Sequence, residues 1–289
     1  MKIIDPIFLE WISFSIDNCS TISGAKVMEN PTTRVEICGA IGKLIFNRPE
    51  VLNAYNRSVS ETLTAGLETL IGTDEVRVIV ITGAGNAFMA GADINMLNDW
   101  NQKGDRAHIR SSLEATFNPT MLEDCPKPTI AAVNGLAFGI GCEVAMGCDY
   151  RIASQDAKFA LPEIKLGIIP GGGGSQRLLR LVGATKALEM ISTGDPIDAA
   201  EALRIGLVNQ VVAPDKLWDA IDAFASRLTS KSALALKIAK QLVYQGGNRS
   251  LYQGIDYERD CFCEILLSED AAEGTRAFIE KRKPVFKDR

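Results

Sequence analysis

The chain has 289 residues, 46% apolar and 23% charged, the proportions of an ordinary globular protein of one or two domains. A net charge of −5 supplies no basic field for nucleic acid or an anionic membrane, and no run of 18 apolar residues is present to span a bilayer. Seven cysteines without C-x-x-C spacing fit buried thiols in a reduced, cytoplasmic protein, and a lone histidine, His108 in a polar run, excludes a His-rich metal site and disfavours a Ser-His-Asp triad.

Residues 1–27 carry apolar pieces, three acids and two lysines. They have neither the basic start and long apolar core of a secretory signal nor the arginines of a transit peptide. They read as a dispensable N-terminal extension, with Met28 the effective beginning of the fold. Residues 34–46 read as two short strands around a glycine turn, and NRPEVLNAYN as a loop. From Ser58 the spacing of Leu63, Leu67, Leu70 and Ile71 predicts a helix.

Val76 to Thr82, VRVIVIT, has the nearly continuous apolar character of a strand covered on both faces. It runs into GAGNAFMAGADINML, a glycine-rich turn with a helix starting near Ala92 and Asp93. A dinucleotide fingerprint would need a third glycine where Phe88 stands, so a Rossmann site is rejected. Residues 94–125 read as polar and helical.

The stretch 129–143, TIAAVNGLAFGIGCE, repeats the plan of strand, glycine turn and helix. Such a corner leaves backbone N–H groups free at the helix start, where they can hold developing negative charge. Glu143 lies in the first turn of that helix among apolar neighbours. An acid there serves either the positive helix end or chemistry, and the stretch by itself does not choose.

Asp149–Ala153 and Lys158–Ala160 read as further short strands. Glu163 follows Pro162 before a loop, where an exposed or lysine-paired glutamate is common. Gly171–Gly174 precede a helix; no Gly-Lys-Ser/Thr follows, so the run reads as a tight turn and not a P-loop. Asp198 with Glu201, and Asp270 with Glu273, have capping-box spacing, the second pair opening a last helix from about Ala271 to Arg282. Residues 215–229, 232–245 and 251–267 have helical spacing. The whole is an α/β core, residues 28–215, followed by a helical region, residues 216–289.

From Arg34 to Lys287 the motifs NRPEVLNAYN, VRVIVITGAGNAFMAGADI, KPTIAAVNGLAFGIGCEVAMGCDYRIAS, AKFALPEIKLGIIPGGGGSQRLLRLVG and EGTRAFIEKRKPVF resemble the crotonase superfamily, and within it the enoyl-CoA hydratases. The resemblance implies an α/β spiral of repeated ββα units with a C-terminal helical region that encloses CoA and forms homotrimers or hexamers. It implies an acyl-CoA thioester substrate, no cofactor or metal beyond that CoA, and a place in fatty-acid β-oxidation. It implies Glu143 as water base and Glu163 as proton donor, the backbone N–H groups of Ala92 and Ile140 as an oxyanion hole, and CoA contacts at Leu52, Ala54, Ala90, Asp93, Ile94, Phe278 and Lys281. Other crotonase reactions, hydration of a dienoyl- or cyclic enoyl-CoA or double-bond isomerisation, are the nearest alternatives, and RNA binding is the non-enzymatic one. Ile140 departs from the usual glycine, and Met89, Leu161 and Tyr55 depart from smaller or polar residues. These four predict a reshaped acyl pocket for a branched, cyclic or aromatic group.

Overall fold

A computed structural model describes residues 26–30, 32–115 and 117–288. The elements of the core are β1 (Lys26–Glu29), β2 (Thr33–Cys38), β3 (Ile41–Phe46), α1 (Arg57–Gly72), β4 (Val78–Gly83), β5 (Ala87–Met89), α2 (Ile94–Lys103), α3 (Arg106–Ala115), α4 (Thr120–Asp124), β6 (Thr129–Val133), β7 (Leu136–Phe138), α5 (Ile140–Gly147), β8 (Tyr150–Ser154) and β9 (Lys158–Ala160). There follow a 3-10 turn (Pro162–Leu166), α6 (Gly174–Val182), α7 (Ala184–Thr193), β10 (Ile197–Asp198), α8 (Ala199–Arg204) and β11 (Gln210–Val212). The C-terminal region holds α9 (Leu217–Thr229), α10 (Ala233–Gln241) running into a π turn (Leu242–Gly246), α11 (Leu251–Leu266) and α12 (Glu269–Ile279).

The strands form two sheets. The larger has the order β1-β2-β3-β4-β6-β8-β11 and is parallel from β3 onward; the smaller has the order β10-β9-β7-β5. Each turn of the chain gives one strand to the large sheet, one to the small sheet, and then a helix or helical turn: β4-β5-α2, β6-β7-α5, β8-β9 and the 3-10 turn. This is the spiral of ββα units implied by the resemblance.

The central strands are apolar on both faces because both are covered. Ile79, Ile81, Ala131 and Val133 join the core that includes Leu63, Leu67 and Leu70 of α1. Val78, Val80, Ile130, Ala132 and Ile152 face the other way and pack on Leu217, Ile221 and Ala225 of α9. At about 25 cal/mol per Å² of apolar surface, this two-sided burial is the main force holding the spiral together.

Several details differ from the sequence reading. The boundary at residue 27 falls inside β1, where Lys26 and Val27 pair with Ile37 and Glu36; residues 1–25 lie outside the described residues. The strands β5 and β7, three residues each, stand where the sequence reads as glycine-rich turns. The last helix starts earlier, at Glu269, because the Ser268 side chain caps it by accepting from the Ala271 N–H. Asp270 is therefore not a cap: it is buried and accepts from the N–H groups of Lys287 and Asp288 at 2.7 and 3.0 Å. His108 is half-buried on α3, not fully solvated. Cys125, Cys142, Cys148 and Cys261 are buried thiols and Cys263 is an exposed one.

Candidate active site

The two strand-to-helix corners meet. At the second, Gly139 turns the chain with φ +52° and donates its N–H to Ala160 O at 3.0 Å. The turn delivers Ile140 as the first residue of α5, where an N–H has no intrahelical acceptor. At the first corner, Tyr55 bridges Ala92: its N–H donates to Gly91 O at 2.8 Å and its carbonyl accepts from the Asp93 N–H at 2.7 Å. Successive N–H groups of an extended strand point to opposite sides, so this bridge leaves the Ala92 N–H turned away from Tyr55. A Cβ on Gly139 would lie 3.7 Å from Gly91 Cα and 3.2 Å from Glu163 Oε1, so both corners and one carboxyl share a small space.

Glu143 sits one helical turn from Gly139 and is 2% exposed. Its Oε1 accepts from the N–H groups of Gly172 and Gly174 at 2.9 and 2.7 Å. The four-glycine run is thus a tight turn whose donors hold a carboxylate. Arg177 of α6 anchors that turn from below: it donates to Gly172 O at 2.7 Å and Thr120 Oγ1 at 2.8 Å, and pairs with Glu123. A Cβ on Gly173, at φ +97°, would stand 2.2 Å from Arg177 Nη1, so only glycine lets the guanidinium lie there. Burial raises the Glu143 pKa above the usual carboxylate range, while the Gly174 and Gly172 N–H groups and Arg177 pull it back.

Glu163 enters from the 3-10 turn after β9. The lysine that could have neutralised it, Lys165, pairs with Asp195 at 2.8 Å instead. Its Oε2 is buried without a hydrogen-bond partner. Burial first, and then the charge of Glu143, push its pKa up to about 7, against the pull of its own backbone N–H.

Both glutamates, Ala92, Ile140, Ala90 and Ile94 line one cavity of about 1000 Å³. Leu52, Ala54, Asp93, Phe278 and Lys281 are not on its wall. Leu52 and Ala54 act through their carbonyls, accepting from the Ala90 N–H at 3.0 Å and Arg48 Nη1 at 2.7 Å. Asp93 caps α2 by accepting from the Asn95 N–H. Phe278 is 85% exposed and Lys281 is exposed, both at the end of α12. Of the four departures, Ile140 and Tyr55 reach the cavity, whereas Met89, at the end of β5, and Leu161, just after β9, are fully buried off its lining with their side chains in the core.

Sequence reasoning missed several supporting residues. Asn53 is fully buried and ties its loop to the carbonyls of Ala84 and Ala87 at 2.9 and 2.8 Å; its signal was an Asn in a polar loop, which usually means only a turn. Arg177 gave no signal beyond its place after the glycines. Trp100 and Phe117, in the stretch read as polar surface, line the cavity.

Chemically, the site can hold a carbonyl oxygen on backbone donors and move protons with two carboxyls of raised pKa, which is the equipment of acid–base chemistry beside a carbonyl. The chain belongs to the enoyl-CoA hydratase/isomerase family, which it matches over residues 36–289, and it is an enzyme of that type. It is 43% identical over 263 residues to a probable enoyl-CoA hydratase of Rhizobium meliloti, covering 91% of this chain and 100% of that one. A short-chain-enoyl-CoA hydratase of Clostridium acetobutylicum is 41% identical over 258 residues, covering 89% and 97%. An enoyl-CoA hydratase structure from Geobacillus kaustophilus superimposes with a TM-score of 0.82 at 38% identity, covering 93% and 99%.

Proposed function

We propose that this enzyme adds water across the double bond of a 2-enoyl-CoA thioester to give the 3-hydroxyacyl-CoA. The observation that carries the reading is that Glu143, Glu163, Ala92 and Ile140 all line one cavity. The thioester oxygen accepts from the two N–H groups, which stabilise the enolate-like charge that water addition creates; one such donor is typically worth about 3–4 kcal/mol of barrier. Glu143, oriented by Gly172 and Gly174, takes a proton from the attacking water as its oxygen bonds to C3. Glu163, protonated near neutral pH, delivers a proton to C2. Steps of this kind contribute roughly 10²–10⁴-fold each.

The CoA moiety follows the Leu52–Ala54 loop and the Asp93–Ile94 corner, and Phe278 and Lys281 close over it from a neighbouring subunit of a homotrimer or hexamer. The exposed apolar side chains of the C-terminal region, among them Leu251, Tyr252, Leu267, Phe278 and Ile279, support such an assembly. No cofactor beyond the CoA of the substrate is needed, the reaction belongs to β-oxidation, and the enzyme is cytoplasmic. Among the described residues no helix is long and apolar enough to cross a membrane.

Mass spectrometry and NMR of the product from crotonyl-CoA test the reaction. A product heavier by one water, with the hydroxyl on C3, is expected. A product of unchanged mass with a shifted double bond would replace hydration with isomerisation.

A further inference from the structure

The corner N–H groups occupy only part of the cavity. Beyond them its wall is built by Met96, Leu97 and Trp100 of α2, Ile109 and Leu113 of α3, and Phe117. The cavity of about 1000 Å³ takes in both the CoA side at Ala90 and Ile94 and this α2–α3 wall, which is left for the acyl group. A crotonyl group has one methyl beyond its double bond and would leave most of this apolar wall in contact with water. The charged side chains on the lining are Glu143 and Glu163; among the described residues no Lys, Arg or His lines it. The lining also holds Asn98, Asn101 and Asn118, so a carboxylate at the far end of an acyl chain would meet amide groups but no cation, with two acids nearby.

From this wall we infer that the acyl group taken by the site is a neutral, apolar chain of medium length, of the octenoyl class, and that acyl groups ending in a carboxylate are rejected. The inference rests on the enoyl-CoA reading for the position of the carbonyl, and it assigns specificity to the α2–α3 pair. Each methylene that leaves water against this wall adds about fourfold to affinity. Trp100 contributes the largest ring on that wall, so its truncation removes contact from a long chain and little from a short one.

Equilibrium binding of saturated acyl-CoA thioesters tests this without requiring turnover. Octanoyl-CoA is expected to bind the full chain at least about thirtyfold more tightly than butyryl-CoA. Adipyl-CoA is expected at least about tenfold weaker than hexanoyl-CoA, which has the same length without the charge. Trp100→Ala is expected to shrink the octanoyl-to-butyryl ratio at least about fivefold, with Leu97→Ala as the alternative should that variant not fold. Butyryl-CoA binding as tightly as octanoyl-CoA, or adipyl-CoA matching hexanoyl-CoA, overturns the inference. Failure of hydration with this binding order intact would overturn the reaction and leave the acyl class standing.

Discussion

Glu163 holds a carboxyl oxygen that is buried without a hydrogen-bond partner. Its folded carboxyl keeps a proton up to about pH 7, whereas the unfolded one releases it at the ordinary glutamate value of about 4.3. The folded state thus binds more protons across that window, and stability falls as pH rises through it. Glu163→Gln is expected to raise Tm relative to the parent at pH 8 and to change it little at pH 4; equal shifts at both would contradict the raised pKa. On the proposed mechanism, kcat/KM for hydration is expected to fall above about pH 7 as Glu163 ionises, and on the acid side as Glu143 gains a proton. Arg177 acts through another residue, holding the Gly172–Gly174 turn on which Glu143 rests. Arg177→Ala is expected to lower kcat about 10- to 100-fold with KM little moved, and Arg177→Lys to restore part of it. A loss in KM alone would mean that the turn serves binding instead.

At the scale of elements, the corners were the legible part. Thr129–Val133 and the strand ending at Gly83 announced themselves by unbroken apolar runs before glycine turns, because both faces are covered. Glu143 stood out as a charge in a buried helix. The short strands β5 and β7 were hidden, since three residues show no period and their pairing is long-range. The inward face of α2 and α3 was hidden as well, since Met96, Leu97 and Trp100 lie scattered among Asn and Asp. The last helix was misplaced because Asp270 has cap spacing while its carboxylate receives the C-terminal tail. That tail is fastened again where Asp288 pairs with Arg77 at 3.0 Å and accepts from the Ala233 N–H at 2.6 Å. Asp270→Ala leaves the Lys287 and Asp288 N–H groups without their acceptor and is expected to cost about 1–3 kcal/mol in urea unfolding. An unchanged midpoint would show that the tail adds nothing to α12.

For the whole molecule, the two sheets put both corners on one side of the spiral, and the C-terminal helices leave large apolar side chains in solvent. Phe278 and Lys281, which the resemblance places against CoA, lie off the cavity wall within one chain. Sedimentation of the protein is expected to give three or six copies, and Phe278→Lys to weaken the assembly. A monomer with full activity would remove α12 from the account. On the proposed mechanism Glu143 and Glu163 divide the proton traffic of hydration. Loss of the conjugated-thioester absorbance of an enoyl-CoA, followed with the parent chain, Glu143→Gln and Glu163→Gln, tests it most directly. Each substitution is expected to slow kcat by about 10²–10⁴-fold in a folded protein. A loss of less than about tenfold in either would contradict that glutamate's role.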